Sequence, residues 1–232
     1  SEMGWVRAAK GHELDPRELA YRSGDQFAHM ARGKSNEPLV FFDSTGRAYT
    51  LPAHGLPSAR SQGEPLTGRL TVPSGASFAG VMMGLPDSTV LMASSAGYGF
   101  LCRLGDLVGK QKAGKAVLTL PQGALVLPPQ RVEDPESDLL VAVSSAGRML
   151  VFPVSELPAL ARGKGNKILS IPKASVVSGE EVLRGVVALP ADGVLRVHAG
   201  ARYLNMKTSD LDAYRGERAR RGQRLPRGFQ RV

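Results

Sequence analysis

The chain has 232 residues, of which 42% are hydrophobic, so it can bury a full core and is not a disordered tail. Thirty Lys and Arg face twenty-one Asp and Glu, and this net charge of +9 indicates an anionic partner such as nucleic acid, an acidic protein or a membrane surface. The single cysteine, Cys102, excludes an intrachain disulfide framework and favours a reducing cytosol.

No stretch of the sequence predicts a membrane segment. The longest mainly apolar span, residues 88–102, is shorter than the roughly 20 residues that cross a bilayer. Residue 1 lies inside a repeat and is not followed by the basic and apolar regions of a signal peptide. We therefore expect a cytoplasmic protein and a chain that was cut from a longer one.

A short motif recurs along the chain, with a small or polar residue, two further residues and a glycine. Its copies start at Ser1, Asp43, Ser94, Ser144 and, more loosely, Val197. Apolar runs around the inner copies predict two strands joined by a tight turn whose glycine takes a positive φ. Five copies predict one all-β repeat domain, residues 1–232, built like a propeller. Its approximate blades are residues 1–36, 37–87, 88–137, 138–187 and 188–232.

The repeats continue alike after their turns. A second glycine follows sixteen or seventeen residues after the first in four of them, at Gly63, Gly114, Gly163 and Gly216. Three repeats then contain a predicted strand that ends in proline, at residues 70–73, 118–121 and 169–172. Residues 84–87 and 133–136 are predicted loops between blades. Helix is expected only as a turn or two, near residues 15–21 and 209–214.

Basic side chains concentrate in the loops around the second glycines. Glycine lets the backbone there approach a polyanion closely, and arginine suits bidentate phosphate contacts. A solvated surface loop is the alternative for each loop alone, but the loops recur in register from repeat to repeat. The candidate binding residues are Arg47, Arg60, Lys110, Lys112, Lys115, Arg148, Arg162, Lys164, Lys167, Arg215, Arg218, Arg220, Arg221 and Arg224.

The sequence offers no catalytic, metal or cofactor site. Residues 109–116 match a phosphate-binding loop until Ala116 replaces the Ser or Thr that would bind Mg²⁺, and a predicted strand follows where a helix is needed. The four histidines are isolated, without a second ligand at metal spacing. The serines lie in repeated turns, and six aromatic residues beside the repeat glycines occupy strand positions that indicate core packing.

Several stretches closely resemble the C-terminal domain of the A subunit of bacterial topoisomerase IV (ParC), with the gyrase A-subunit domain as the next nearest family. They are residues 4–12, 56–68, 92–100 and 161–167, and the likeness extends over essentially the whole chain. The resemblance implies a five-bladed β-pinwheel, a propeller-like array whose blades exchange strands, in an open or broken ring. It also implies a basic outer rim that wraps or bends duplex DNA.

The function implied by the resemblance is a non-catalytic duplex-DNA-binding and bending domain of a type IIA topoisomerase. It would help the holoenzyme engage and select segments for decatenation and supercoil relaxation. The implied partners are double-stranded DNA, the ATPase B subunit of the holoenzyme, and the rest of the A subunit, in a nucleoid-associated location. No glutamine-, arginine- and glycine-rich box of the gyrase type is intact, the nearest stretches being residues 31–36 and 216–222, so gyrase-like supercoiling is not expected.

Two alternatives stay open from the sequence. The first is a basic protein-interaction propeller that docks an acidic partner or the enzyme core, since the charge alone does not choose between polyanions. The second is an independent enzyme. The resemblance implies that the transesterifying tyrosine and the metal-binding parts lie in regions absent from this chain, so none of its tyrosines is predicted to be catalytic.

Overall fold

The computed structural model describes residues 1–232 and is all-β, which confirms the predicted fold class. The strands are β1 (Trp5–Val6), β2 (Leu39–Asp43), β3 (Arg47–Leu51), β4 (Glu64–Pro65), β5 (Phe78–Met83), β6 (Thr89–Ala93), β7 (Tyr98–Arg103), β8 (Lys115–Ala116), β9 (Gln130–Val132), β10 (Leu139–Ser144), β11 (Arg148–Pro153), β12 (Asn166–Lys167), β13 (Leu183–Leu189), β14 (Val194–Ala199), β15 (Arg202–Lys207) and β16 (Gln223–Arg224).

Helices are few and short. The two α-helices are α1 (Leu104–Leu107) and α2 (Lys173–Ser178), and the 3₁₀ helices are Pro16–Glu18, Ala53–Gly55, Leu66–Gly68, Val154–Glu156 and Thr208–Tyr214. The first and last of these 3₁₀ helices lie where the sequence predicted a turn or two of helix. None of the helices has the length and apolar character needed to span a membrane.

The chain forms two compact units, each with its own sheets. The first unit comprises Ser1–Ser88 and Arg103–Val117, and the second comprises Thr89–Cys102 and Leu118–Val232. The first unit contains a four-stranded sheet in the order β5-β2-β3-β8 and the pair β1-β4. The second unit contains two four-stranded sheets, β12-β7-β6-β9 and β13-β10-β11-β16, and the hairpin β14-β15.

The recurring motif forms the tight turns between the central strands of each four-stranded sheet. Gly46, Gly97 and Gly147 have φ values of +90°, +87° and +70°, as predicted for these turns. The first residues of these three motifs, Asp43, Ser94 and Ser144, are fully buried, and in the first unit Asp43 accepts hydrogen bonds from the amide of Thr45 at 2.8 Å and the hydroxyl of Tyr49 at 2.6 Å. Ser144 likewise accepts a hydrogen bond from the amide of Arg148 at 3.3 Å, whereas the hydroxyl of Ser94 has no hydrogen-bond partner, so two of the three turns are held by the first residue of the motif.

The second residue of the motif fixes the next strand to the turn. The hydroxyl of Ser44 accepts a hydrogen bond from the amide of Ser77 at 3.0 Å, just before β5. The hydroxyl of Ser145 likewise accepts one from the amide of Val182 at 3.0 Å, just before β13. The serine repeats therefore position the edge strands β5 and β13, which were not identified from the sequence.

Each four-stranded sheet ends in a short strand that comes from the following repeat. In the first unit β8 pairs with β3 through Arg47 and Ala116. In the second unit β12 pairs with β7 through Tyr98 and Lys167, and β16 pairs with β11. The pair β1-β4 repeats the same exchange. Strand exchange, implied by the resemblance, is thus present in all four cases.

The prediction of three strands that end in proline is wrong. Residues 70–73, 118–121 and 169–172 are not strands, apart from a single bridge between Leu118 and Gly163. Their amides instead make one hydrogen bond to the following exchange segment, as from Thr119 to the carbonyl of Gly163 at 3.0 Å. Leu70, Leu118 and Leu169 are buried, so these stretches are extended links that contribute to the core, and an alternating apolar pattern does not distinguish them from strands.

Each unit has its own apolar core, which packs against its sheets. In the first unit Leu39, Phe41, Tyr49, Leu66 and Leu70 form one buried cluster. In the second unit two clusters flank the sheet that contains β10 and β11, because alternate residues of those strands point to opposite faces. Phe152 lies in one cluster and Val151 in the other, so this sheet is buried on both faces.

Candidate nucleic-acid interface

The candidate residues lie mainly on four segments that carry the exchanged strands, here called the exchange segments. They are residues 53–65 and 104–116 in the first unit, and residues 154–167 and 208–224 in the second. Residues 104–116 and 154–167 each carry three cations against one acid, and residues 208–224 carry five arginines against three acids. Each of these three segments therefore has a net charge of +2, whereas residues 53–65 are balanced.

A glycine brings each exchange segment against the backbone of the sheet that it joins. Gly165 has a φ of +85° and lies so close to Gly99 that a side chain on it would collide with the Gly99 carbonyl oxygen. Gly63, Gly114 and Gly222 also have positive φ, and a Cβ on each would collide with a backbone carbonyl oxygen of the neighbouring strand. The spacing of the repeats had aligned Gly163 and Gly216 with Gly63 and Gly114. That alignment is wrong in the last two repeats, because their segments are longer before the exchanged strand.

Two of the candidate arginines hold these glycine turns in place. In the first unit Arg47 donates from Nε to the carbonyl of Ala113 at 2.9 Å and from Nη2 to that of Gly114 at 3.1 Å. In the second unit Arg148 donates from Nη1 to the carbonyl of Gly222 at 3.2 Å. Their guanidinium groups stabilise the strand exchange and have fewer N–H donors left for a ligand, although they keep their charge.

Two arginines of the last exchange segment also have structural partners. Arg218 donates to the carbonyl of Lys167 at 2.8 Å. Arg221 forms a bidentate ion pair with Glu181, whose side chain is only 7% exposed. Burial acts to raise the pKa of Glu181, but hydrogen bonds from Arg221 and Ser144 and the nearby positive charge outweigh it and hold that pKa below its ordinary value.

Two further arginines make local, exposed ion pairs. Arg215 lies 3.2 Å from Asp212, and Arg220 lies 2.6 Å from Glu217, each within one turn of chain. Exposed pairs of this kind contribute little stability and are weakened by salt. These two arginines are partly neutralised but remain accessible.

Eight candidates have neither an ion pair nor a side-chain hydrogen bond within the chain. Lys115 and Lys167 are half-buried, and the other six are exposed. They are Arg60, Lys110, Lys112, Lys115, Arg162, Lys164, Lys167 and Arg224. We call them the free cations. Arg60, Lys110, Lys112 and Lys115 belong to the first unit and the others to the second.

Some residues of the exchange sites were missed from the sequence. Arg7 donates to the carbonyl of Ser61 at 2.9 Å, much as Arg47 and Arg148 bind later glycine turns. Tyr98 takes the position of Arg47 and Arg148 directly after its turn glycine, and its ring contacts lysine side chains. Aligning the repeats at that position would have revealed the change from arginine to tyrosine. The buried Glu181 gives no such signal, because its partner is 40 residues away.

The groups considered for other chemistry do not come together. No three His, Cys, Asp or Glu side chains form a group that could hold a metal ion. In residues 109–116 the glycine-rich stretch leads into β8. Tyr49 is buried and bound to Asp43, and both burial and that hydrogen bond raise its pKa.

The chain is similar over nearly its full length to a solved structure of the E. coli ParC C-terminal domain. The two are 51% identical, the match covers 99% of this chain and 93% of the other, and the TM-score is 0.87. The chain belongs to the ParC C-terminal domain family. A crystal structure of the C-terminal domain of DNA topoisomerase IV has 16% identity and a TM-score of 0.75, and it supports the fold alone.

Curated relatives agree with membership of the ParC family. The DNA topoisomerase 4 A subunits of Pseudomonas aeruginosa and Escherichia coli K12 are 56% and 52% identical to this chain, each over 232 residues. The chain spans 31% of the length of each. A family model described as DNA gyrase C-terminal domain, beta-propeller, matches residues 88–132 and 138–182, which contain β6 to β12. These matches agree with the assignment of the chain to the family of ParC C-terminal domains.

Proposed function

We propose that this domain binds and bends duplex DNA without catalysing a reaction itself. It would help a topoisomerase IV holoenzyme, formed by the rest of the A subunit together with the ATPase B subunit, to engage and select segments for decatenation and relaxation. The observation that carries the proposal is the repeated placement of the free cations on exchange segments. We also propose that the parent protein is bacterial and associates with the nucleoid.

The free cations suit phosphate contacts better than base reading. They are lysines and arginines on glycine-containing loops and two-residue strands, and no helix of the chain is long enough to serve as a recognition helix in the major groove. Phosphate contacts orient a protein on duplex DNA and carry no direct sequence information. Binding should therefore depend steeply on salt and weakly on sequence.

The direct test is the affinity of the 232-residue chain for a relaxed plasmid across a salt series. If half of the eight free cations contact phosphates, the logarithm of the binding constant should fall with the logarithm of salt with a slope of about −3 to −4. Two labelled duplexes of equal length and different sequence should bind within about threefold of each other, because base contacts are absent. A flat salt dependence would refute the proposal.

A second assay separates DNA binding from docking of an acidic protein. Proteins captured from a bacterial extract through bridging DNA should disappear after nuclease treatment, whereas direct partners should remain. The chain alone should neither cleave DNA nor hydrolyse ATP. Retention of one abundant acidic partner, together with salt-independent plasmid binding, would favour the protein-interaction alternative.

A further inference from the structure

Tyr98 differs from its counterparts in the other four-stranded sheets. Each exchanged strand places its second residue opposite the residue that follows a turn glycine. The opposing residues are Ala116 and Arg47 in the first unit, and Arg224 and Arg148 in the second. In the third case Lys167 lies opposite Tyr98, so an aromatic ring replaces the arginine that binds a glycine turn.

The ammonium groups of two free cations lie near the ring of Tyr98. The ammonium nitrogen of Lys164 lies 4.4 Å from the ring centre, and that of Lys167 lies 5.8 Å from it. Both distances fall within the range of a cation–π interaction. Arg162 precedes them on the same exchange segment and is exposed, so three positive charges lie within six residues here.

The backbone around this ring is fixed from two sides. Gly165 lies against Gly99, which places Lys164 and Lys167 on either side of a close backbone contact. Arg218 donates to the carbonyl of Lys167 at 2.8 Å, and the amide of Ala219 donates to the carbonyl of Ile168 at 3.0 Å. The lysine backbone is therefore held independently of the ring, which acts on the flexible side chains.

We propose that Tyr98 is a positioning residue that orders Lys164 and Lys167 as a clamp for a nucleic-acid phosphate. This inference rests on the proposed function and names one contact that would contribute to it in the second unit. An ammonium group on the ring face keeps N–H donors directed away from the ring, and these can bind a phosphate oxygen. Long lysine side chains lose rotamer freedom on binding, and a ring that orders them beforehand reduces that loss.

The presence of two positive charges near one ring adds to the effect. Both lie within 6 Å of one ring centre and neither has an acidic partner within the chain. A phosphate that contacts both groups is attracted by both charges. At the equivalent position of the last exchange segment, Arg224 lies opposite an arginine whose guanidinium binds Gly222, so no ring orders it.

The test combines two substitutions of Tyr98 with a double-mutant cycle. Tyr98→Ile keeps a strand-forming residue and removes the ring, whereas Tyr98→Phe keeps the ring. Affinity for a fluorescent 20-base-pair duplex is measured by anisotropy at fixed salt. Tyr98→Ile should weaken binding about threefold to tenfold, from the loss of two cation–π contacts, and Tyr98→Phe should stay within about twofold of the unsubstituted chain.

The cycle distinguishes positioning from general damage to the fold. In a Lys164→Ala/Lys167→Ala background, Tyr98→Ile should cause no further loss of affinity. NMR of the unsubstituted chain without DNA should show the terminal methylene protons of both lysines shifted upfield by the ring, with those of Lys112 as an unshifted reference. The shifts should persist in Tyr98→Phe and disappear in Tyr98→Ile.

The outcomes separate this inference from the function on which it rests. Unchanged affinity in Tyr98→Ile, an equal loss in the lysine-free background, or unshifted lysine signals would overturn the role of Tyr98 while leaving salt-dependent DNA binding intact. Absence of salt-dependent binding by the unsubstituted chain would overturn the proposed function and this inference together.

Discussion

Replacement of Gly165 by alanine tests the close contact on which strand exchange depends. Gly165 has a φ of +85°, and its added Cβ would collide with the carbonyl of Gly99. Gly179 has a similar φ of +78° at the end of α2, but nothing lies within 4 Å of the position of its Cβ. Both lie in the second unit, so Gly179→Ala is a matched control for backbone strain.

The structure predicts different costs for the two substitutions. Gly179→Ala should lose about 1–2 kcal/mol because alanine disfavours a left-handed conformation. Gly165→Ala should lose about 1–3 kcal/mol more, since β12 must move away from β7. The lower entropy of the unfolded alanine chain affects both variants equally and cancels in their difference.

Urea unfolding followed by circular dichroism measures this difference. With a denaturant slope of about 2 kcal/mol per molar, the midpoint of Gly165→Ala should lie about 0.5–1.5 M below that of Gly179→Ala. The same transition is compared in both variants, because a chain of two units need not unfold in one step. Equal midpoints would refute the argument that backbone contact at Gly165 holds the exchanged strand.

Three further predictions concern polar contacts within the two units. Glu181→Gln should cost about 1–3 kcal/mol at pH 7, less than a fully buried pair because Arg221 is 37% exposed. Since the folded-state pKa of Glu181 is lowered, the stability that its carboxylate contributes is present above its ordinary pKa and is lost as the pH falls through the folded-state pKa. Thermal melts in which Glu181→Gln has the same cost at pH 7 and pH 2 would contradict this pH dependence. Arg148→Met should lower stability by about 1 kcal/mol because it removes the hydrogen bond to Gly222. Arg162→Met should instead change stability by less than about 0.5 kcal/mol and weaken DNA binding. Paired melts and anisotropy titrations in which Arg162→Met loses more stability and Arg148→Met loses more affinity would contradict this assignment of roles. Tyr49→Phe should cost about 1–3 kcal/mol in urea unfolding because the buried carboxylate of Asp43 loses a donor, and an unchanged midpoint would exclude that role.

The hairpins could be predicted from the sequence because their determinants are local. Each turn needs a glycine at positive φ, and the apolar runs beside it supply strands that are buried on both faces. Residues 70–73, 118–121 and 169–172 also have a strand-like apolar pattern, and they bury Leu70, Leu118 and Leu169 without joining a ladder. A hydrophobic pattern reports burial and does not report which backbone partner is present.

The candidate site was predictable as a set of segments and not residue by residue. The repeat spacing places Lys110, Lys112 and Lys115 on one exchange segment and Arg162, Lys164 and Lys167 on the next, but the use of each charge depends on partners far along the chain. Arg148 binds Gly222, 74 residues away, and Arg221 binds Glu181, 40 residues away. The sequence alone does not distinguish these arginines from those that are available to a ligand, whereas in the structure four of them make contacts that stabilise the fold.

The central claim is that the free cations of the exchange segments bind DNA, and a matched pair of triple variants tests it most directly. Arg162→Ala/Lys164→Ala/Lys167→Ala and Arg196→Ala/Arg202→Ala/Lys207→Ala remove the same charge from the second unit, the latter from the hairpin β14-β15. The first should reduce the salt slope of duplex binding by about 2–3, and the second should leave the slope within about 1 of the unsubstituted chain. Equal slopes in the two variants would contradict the account.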